Sequence, residues 1–358
     1  MQDPDNKTKI NKKVSRRRTT LRDVAALAGV NYSTVSRVLR GTVDAATRPE
    51  TRERIREAAK ELNYRPNRLA QALRTPQPNY IGVVITDLAN PTSREMIYSI
   101  ESAASAVGIT TAIYHVDQKH RPSHNLMQIA SDSHVDGLII ASRLVIEGEF
   151  GSLGDLPCAV IVVNETDIID DFVALDHAKG TYLATQHLVD LGQRDIALLS
   201  GEKGMMNARR RMEGYRKSIR RAELKEKIVM SSGYNTTETL DAISTLFDNE
   251  SRPTALLTAT LSMAMTSLAA LEKRGLDVPG DISLISLQND QSADFISPAI
   301  SAIDYPIEEL GITAAQALLQ KINGTPPKLP RIIAPSGYVD RSSVRPLEKS
   351  PRSSISDV

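Results

Sequence analysis

The segment from residue 31 to residue 39 carries side chains that could read DNA bases. Hydroxyl, phenol and guanidinium groups are spaced so that they share one face of a predicted short helix: Tyr32, Ser33, Thr34, Ser36 and Arg37. Arginine can form two hydrogen bonds with guanine, and hydroxyl groups can reach bases or phosphates. A helix of this length fits the major groove of DNA. The pattern predicts a DNA-reading helix, and the alternative that the residues leave open is an ordinary small helical bundle.

Two further helices are predicted to hold this segment in place. Thr20 is the predicted N-cap of the first helix, and Gly29 ends it in a left-handed backbone conformation. Thr47 and Glu50 form a predicted capping box at the start of the third helix. Three short helices within about 45 residues have the size of a helix-turn-helix module.

The N-terminal part of the chain is basic, whereas the remainder is acidic. Positions 1–79 contain 18 Lys and Arg against 8 Asp and Glu, and positions 80–358 contain 26 against 35. This division indicates a polyanionic partner at one end of the chain, although charge alone would equally fit a solvated tail. The predicted segments are a disordered basic arm over 1–18, a helix-turn-helix domain over 19–64 and a hinge over 65–79.

From Tyr80 onward, short apolar segments rich in β-branched residues alternate with amphipathic helical segments. The predicted strands are Ile81–Ile85, Ile109–Tyr114, Val135–Ile140, Ala159–Val163, Ile196–Leu199, Ala255–Leu257 and Ile282–Leu287. The predicted helices are Ser93–Val107, Ala178–Leu191, Arg209–Arg221 and Met263–Arg274. Such alternation predicts an α/β body of two doubly wound parallel-sheet subdomains, with a ligand cleft between them. This effector-binding and dimerisation domain is predicted over 80–340, followed by a disordered tail over 341–358.

Composition and motifs argue against several other classes of protein. Apolar residues make up 41% of the chain and none of their runs is long enough for a membrane span, so no membrane partner is predicted. The single cysteine and the polar N-terminus without a secretory leader predict a cytoplasmic protein. A doubly wound enzyme would also explain the body, but no nucleotide-binding or nucleophile motif is present, so no catalytic residue and no cofactor is predicted. His120 and His124 are four residues apart but lack the further ligands that a metal site needs, so no metal site is expected.

Several motifs resemble one known family over roughly Thr20 to Asp340. They are Thr20–Gly41, Glu61–Leu73, Asp87–Pro91, Val135–Ile140, Ala208–Tyr215 and Pro279–Ser283. Together they resemble the LacI/GalR family of bacterial transcription regulators. The resemblance implies a helix-turn-helix headpiece on a periplasmic-binding-protein-like type I body. It also implies crossovers near Ala174, Asp304 and Pro330, hence an N-subdomain over about 80–174 and 305–330 and a C-subdomain over about 175–304 and 331–340.

The resemblance assigns DNA-binding roles to matching positions of this chain. These are Thr20, Asn31, Tyr32, Ser33, Thr34, Ser36, Arg37, Asn67, Arg68 and Leu73. Tyr32, Ser33 and Arg37 would approach bases, and most of the others would bond phosphates. Leu73 would insert into the minor groove and bend the duplex. The loop over 41–47 is longer than in the lactose repressor, so the phosphate contacts of that loop are not carried over.

The resemblance also places an effector in the cleft between the subdomains. The matching positions are Asn90, Thr92, Arg143, Arg211, Thr260, Gln288 and Asn289. Arg211 matches the family arginine that binds effector hydroxyls or carboxylates, and a solvated arginine is the alternative. Aromatic and acidic residues with which many relatives grip sugars are replaced here by Thr92, Thr260 and Gln288. A carbohydrate-like effector, a phosphorylated sugar, a polyol and a nucleoside all remain open.

Taken together, the motifs predict a sequence-specific transcriptional regulator, and a repressor in preference to an activator. It would bind a palindromic operator in double-stranded DNA as a homodimer, because one short reading helix covers only a half-site. A small-molecule-binding protein without DNA function would explain only the body.

Overall fold

The computed structural model describes residues 19–39, 47–62, 64, 80–88, 90–116, 126–132, 135–141, 153–229, 233–248 and 252–347. The chain forms two compact units, Met1–Gln77 and Pro78–Val358, and each is described by itself. The predicted arm over 1–18 and the hinge over 65–79 lie outside the described residues.

The smaller unit contains three described helices, α1 (Leu21–Ala28), α2 (Tyr32–Leu39) and α3 (Pro49–Glu61). Each helix contributes a fully buried aliphatic side chain to one small core: Val24, Val35 and Ile55. Thr20 caps α1 through a capping box with Asp23, and Gly29 ends it with a φ of 63°. A side chain at Gly29 would strain the backbone there, so glycine sets the turn between the first two helices.

The start of the third helix differs from the prediction. The residue preceding α3 is Arg48, which makes no side-chain capping bond, and Pro49 occupies the first turn. Thr47, predicted to cap this helix, is buried. The capping box predicted from Thr47 and Glu50 is therefore wrong, because the threonine side chain packs inward. Proline at the first helical position starts the helix without a capping side chain, since it has no N–H to satisfy.

The larger unit contains two six-stranded sheets among its described residues. The first has the order β11-β5-β4-β3-β1-β2, with strands β1 (Tyr80–Ile85), β2 (Thr110–His115), β3 (Gly137–Ala141), β4 (Ala159–Val163), β5 (Phe172–Leu175) and β11 (Arg331–Ile333). The second has the order β12-β10-β9-β8-β6-β7, with strands β6 (Ile196–Leu199), β7 (Ile228–Val229), β8 (Ala255–Thr258), β9 (Ser283–Ser286), β10 (Ser301–Asp304) and β12 (Gly337–Val339). All neighbours are parallel except β10 and β12.

Helices connect the parallel strands, as the predicted α/β architecture requires. They are α4 (Pro91–Ser105), α5 (Leu126–Asp132), α6 (His177–Asp190), α7 (Met206–Arg221), α8 (Thr236–Phe247), α9 (Leu261–Glu272) and α10 (Ile307–Ile322). Val83 and Val84, neighbours on β1, are both fully buried but belong to two different hydrophobic clusters. Because successive strand residues point to opposite faces, the sheet is covered on both faces. The predicted pair of doubly wound subdomains is confirmed. Over the described residues, none of the helices combines the length and hydropathy needed to cross a membrane.

The third crossover between the sheets occurs later than predicted. Arg331–Ile333 was assigned to the C-subdomain, but it pairs in parallel with Val173–Leu175 of the first sheet. The chain reaches the second sheet only with Gly337–Val339, which pairs antiparallel with β10. Pro330 therefore precedes an edge strand of the first sheet, and the crossover lies between Ile333 and Gly337.

The start of the predicted disordered tail is ordered. Ser343 is fully buried, and its hydroxyl donates to the carbonyl oxygen of Leu284 at 2.6 Å and accepts from the backbone N–H of Ser301 at 2.8 Å. The backbone N–H of Leu347 donates to the carbonyl oxygen of Leu191 at 2.9 Å. Residues 341–347 therefore pack on the second sheet and on the end of α6, because their backbone and serine hydroxyl bond polar groups that these elements leave open. Residues 348–358 lie outside the described residues.

Candidate DNA-reading face and effector cleft

The exposed face of α2 presents a phenol, a hydroxyl and a guanidinium group to solvent. Tyr32 is 41% exposed, and Ser33 and Arg37 are exposed as well. The Asn31 side-chain oxygen accepts from the Ser33 backbone N–H at 2.9 Å and from its hydroxyl at 3.0 Å, which closes the first turn. The Arg37 Nε donates to the Ser33 carbonyl oxygen at 3.4 Å, so its guanidinium lies along the same face. The exposed groups are therefore held on one side of a short, capped helix.

The other residues predicted to contact DNA are either less accessible than these three or lie outside the described residues. Thr34 is half-buried and Ser36 is buried, so Ser36 has little surface to offer a phosphate. The Thr20 hydroxyl is engaged with the carboxylate of Asp23 at 2.7 Å. Asn67, Arg68 and Leu73 lie outside the described residues, and their roles stay predictions.

A cleft lies in the larger unit, where strands of both sheets end; its empty space is about 300 Å³ when the part open to solvent is included. Four predicted effector residues line it: Thr92, Arg211, Gln288 and Asn289. The remaining lining residues are His177, Tyr305 and the apolar Leu175, Ala259, Leu287 and Ile307. Leu175 ends β5, and Ala259, Leu287 and Tyr305 directly follow β8, β9 and β10. Carboxyl ends of parallel strands are where open α/β sheets bind ligands.

Arg211 is the charged group of the cleft lining. Its side chain is buried at 6% exposure. Its Nη1 donates to the Ser200 carbonyl oxygen at 3.1 Å and to the Tyr234 hydroxyl at 3.4 Å. Its Nε is buried and has no hydrogen-bond partner among the described residues. The guanidinium is therefore held in position by neutral oxygen atoms, and its Nε is a donor without a partner among the described residues.

Gln288 links the two halves of the cleft. Its Nε2 donates to the Asn90 side-chain oxygen at 3.2 Å and to the Thr92 hydroxyl. Asn90 caps α4 on the first sheet, whereas Gln288 follows β9 of the second. The neighbouring Asn289 donates to Asp304 at 2.9 Å, while its own oxygen is buried without a partner among the described residues. Thus Asn90, Thr92, Gln288 and Asn289 come together, as predicted from positions far apart in the sequence.

Three predicted effector residues are not part of this lining, and Asn90, which contacts Gln288 from outside it, is the first. The Thr260 hydroxyl caps α9 by accepting from the Met263 backbone N–H at 3.2 Å, and its side chain is buried outside the cleft lining. Arg143 lies outside the described residues. The Thr260 hydroxyl therefore caps α9 instead of contacting a ligand, because its short side chain folds back onto the helix that it starts.

His177 was not predicted and belongs to the cleft. It is the first residue of α6, and its ring packs edge-on against Tyr305 with 5.7 Å between ring centroids. Its Nδ1 is buried without a partner among the described residues. Burial, followed by the positive charge of Arg211, holds the pKa of His177 well below its usual value. A residue just after a parallel strand is a candidate for such a cleft, but the sequence analysis does not predict the short strand Phe172–Leu175 and so does not single out His177.

A second set of contacts joins the sheets beside the cleft. Arg210 on α7 forms two hydrogen bonds with Glu165, which follows β4; the Nε–Oε2 distance is 2.7 Å. The Asn207 side-chain nitrogen donates to the Asn164 side-chain oxygen at 3.1 Å. Asn164 has a φ of 133°, a conformation that costs free energy in residues other than glycine. Helix α7 therefore carries both the cleft arginine and some of the contacts that tie the two subdomains together.

The neutral state of His177 predicts acid sensitivity of the larger unit. Below about pH 6.5 the unfolded chain binds a proton on this histidine that the folded chain does not, so the free energy of unfolding should fall. The expected slope is up to about 1.4 kcal/mol per pH unit, from about pH 6.5 down to the folded-state pKa. Urea unfolding at several pH values measures it.

The matched variants are His177→Gln and His187→Gln. The first should remove most of the slope, and the second a smaller part, because the pKa of His187 is lowered less by its partial burial. An unchanged slope in His177→Gln would show that this histidine is protonated in the folded protein.

No group of three or more His, Cys, Asp or Glu side chains that could hold a metal occurs among the described residues. His120 and His124 lie outside them. Cys158 is partly buried beside a hydrophobic cluster, and burial raises the pKa of its thiol, which disfavours the reactive thiolate.

Known proteins resemble the chain over most of its length. Residues 20–67 match the bacterial regulatory proteins of the lacI family, and residues 185–344 match a periplasmic binding protein-like domain. HTH-type transcriptional repressor PurR from Haemophilus influenzae is 30% identical over 312 residues, which cover 85% of this chain and 91% of that protein. Catabolite control protein A from Priestia megaterium is 27% identical over 309 residues, 85% of this chain and 92% of that protein. A solved lac repressor dimer bound to operator and the anti-inducer ONPF has a TM-score of 0.80 and 27% identity, covering 92% of this chain and 100% of that one.

Proposed function

Because the chain belongs to the lacI family of bacterial regulatory proteins, we propose that it is a sequence-specific transcriptional repressor controlled by a small molecule. It binds a palindromic operator as a homodimer and receives its effector in the cleft lined by Arg211. The observation that carries this proposal is the coexistence of two sites in one chain: an exposed polar face on a helix-turn-helix, and a cleft with a buried, partly unsatisfied arginine.

The DNA-binding role rests on charge and on the exposed groups of α2. We assign base contacts to Tyr32, Ser33 and Arg37, and phosphate contacts to Thr34 and to Asn31, which caps the second helix. The excess of Lys and Arg over positions 1–79 supplies the sequence-independent attraction to phosphates. The hinge over 65–79, including Leu73 as a minor-groove wedge, completes the proposed interface.

Replacing Arg37 by alanine should weaken operator binding while leaving binding to random DNA almost unchanged. A lost contact to a base edge costs about 1–3 kcal/mol and relaxes specificity at one base position. Fluorescence anisotropy with the operator and a scrambled duplex at fixed salt measures both affinities.

The matched control is Arg56→Ala, because Arg56 is an exposed arginine of α3 paired with Glu53 at 3.6 Å. It should change both affinities by the same small factor. Equal losses on operator and scrambled DNA in Arg37→Ala would make Arg37 a phosphate contact.

The effector role rests on the cleft. Thr92, Arg211, Gln288 and Asn289 line it, and Asn90 holds the Gln288 side chain. The lac repressor relative was solved with the anti-inducer ONPF, which supports a small-molecule site in this fold. We propose that ligand contacts with these residues change how the two subdomains close, and that closure changes operator binding. The protein acts without catalysis or cofactor, in the cytoplasm.

Arg211→Ala should shift half-saturation by the effector about ten- to a hundredfold, because a buried charge-assisted hydrogen bond is lost. A repressor–reporter assay in cells, with the operator found by genomic footprinting, measures the response. The matched control is Arg209→Ala, since Arg209 lies on the same helix but is 55% exposed and paired at 3.6 Å with Asp167. A response lost in both variants would reflect damage to α7 rather than loss of a ligand contact.

A further inference from the structure

Three ion pairs join the two subdomains among the described residues: Arg94–Asp290, Arg209–Asp167 and Arg210–Glu165. The first two have N–O distances of 3.5 and 3.6 Å, and their arginine side chains are 65% and 55% exposed. Pairs of this kind contribute little, because water and salt screen them. Arg210 instead binds Glu165 through two hydrogen bonds, and the Glu165 side chain is only 14% exposed. This pair is therefore the strong ionic contact between the subdomains.

Arg210 has a second carboxylate partner, which it would keep if the subdomains moved apart. Its Nη1 donates to the Glu213 carboxylate, three residues further along α7, at 2.8 Å. Separation would therefore leave this arginine paired, which avoids the high cost of a buried charge that loses its only partner. Asn164, the residue before Glu165, is held at a φ of 133°, and such strain persists only where neighbouring contacts maintain it. Opening would let this backbone relax, so the paired and separated arrangements are close in free energy.

Both partners of the pair are connected directly to the cleft. Arg210 precedes the cleft residue Arg211 on α7. The loop that carries Glu165 leads into β5, which ends at the cleft residue Leu175. A molecule that enters the cleft therefore acts on the same two elements that the ion pair joins. The pair is placed where it can oppose or assist a change in the arrangement of the subdomains.

We propose that the Arg210–Glu165 pair is an ionic latch that holds the two subdomains of the effector-free protein in the arrangement of this structure, and that opening it lowers operator affinity. The effect on DNA rests on the proposed function, whereas the latch itself does not. In a dimer, the body determines how closely the second headpiece is held to its half-site. A looser body lowers this effective concentration and so weakens the binding of the pair of headpieces.

Single-molecule energy transfer on the full-length protein measures the arrangement of the subdomains. Dyes are attached to Gln320→Cys on α10, which packs on the first sheet, and to Lys273→Cys after α9, which packs on the second. Both positions are exposed, and the background is Cys158→Ser. Labelled chains are diluted into unlabelled protein, so that one protomer per dimer reports. The wild type should show one population, whereas Arg210→Met and Glu165→Gln should each add a second population with a different transfer efficiency.

The charge-swapped double variant Arg210→Glu/Glu165→Arg should restore the single population, because the pair forms again with reversed polarity. A purely steric role of either side chain would not be rescued in this way. Raising the salt concentration from about 0.05 to 0.5 M should populate the second arrangement in the wild type and change Glu165→Gln little. The matched control is Arg216→Met/Glu226→Gln, which breaks an ion pair of 3.0 Å on the same helix with both partners in the second subdomain. It should leave the transfer efficiency unchanged.

Operator affinity, measured by fluorescence anisotropy at fixed salt, should be about five- to tenfold lower in Glu165→Gln and should recover in the charge swap. The salt titration of the wild type needs no variant, so the test does not depend on whether a variant folds. One unchanged population in both single variants, no response of the wild type to salt, or an equal shift in the control would overturn the latch. A chain with two populations that binds no palindromic DNA contradicts only the proposed function. A chain that binds operator but keeps one population in every variant contradicts only the latch.

Discussion

The double variant Tyr98→Asp/Phe295→Asp is expected to lower operator affinity by about 100-fold or more, because it should separate the homodimer. A dimer places two reading helices on two half-sites, and linking two binding events typically raises affinity by about 10²- to 10⁴-fold. The monomer keeps its reading helix but loses that gain. This is the largest functional effect expected of any surface substitution outside the DNA-reading unit.

The proposed dimer face is defined by exposed apolar side chains on neighbouring elements. Tyr98 on α4 is 76% exposed, and Phe295, in the short helical turn Gln291–Phe295, is 86% exposed. One turn before Tyr98, Arg94 approaches Asp290 to 3.5 Å, which brings the start of α4 beside that turn. Ile113, 50% exposed, lies on β2 at an edge of the first sheet. Exposed apolar groups beside an open sheet edge are typical of an interface.

Sedimentation velocity and operator titration measure the two effects together. The matched control is Ile332→Asp, since Ile332 is 52% exposed on β11, at the opposite edge of the same sheet. It should leave both the mass and the affinity unchanged. A double variant that remains dimeric, or a monomer that binds operator as tightly as the wild type, would contradict this prediction.

Gly214→Ala is expected to destabilise the larger unit by about 2–3 kcal/mol. In an isolated helix this substitution stabilises by about 1 kcal/mol. A loss of stability would therefore itself indicate a steric clash with a neighbouring element. A Cβ added at Gly214 would lie 2.0 Å from the carbonyl oxygen of Ala178, where α7 packs against α6. Because the clash is with backbone, the two helices must separate, and Arg211 and His177 at the cleft would move with them.

Urea unfolding followed by circular dichroism measures the change in the free energy of unfolding. The control is Arg220→Ala, an exposed position on the same helix, which should change stability by only a few tenths of a kcal/mol. A Gly214→Ala variant as stable as the wild type would show that α6 and α7 can move apart without cost.

The helix-turn-helix could be predicted from local sequence because local physics determines most of it. The cap at Thr20 and the turn at Gly29 each depend on residues within a few positions, and both occur as predicted. The seven predicted strands were likewise found because each is a short, mainly apolar run, and most of these runs are buried. Recognition of the family followed from the same stretches.

The tertiary structure alone decided the features that depend on distant parts of the chain. Strand β11 is short and largely exposed, and it exists because it pairs with β5, which lies far earlier in the sequence. Thr47 and Ser36 looked available for capping or phosphate binding but are buried. Whether Arg211 has a counter-ion likewise depends on which carboxylates the fold brings near it. The carboxylates that pair with the neighbouring Arg209 and Arg210 come largely from the loop after β4. Local propensity acts over a few residues, whereas burial and charge pairing are properties of neighbours in space, and the chain acquires those only when it folds.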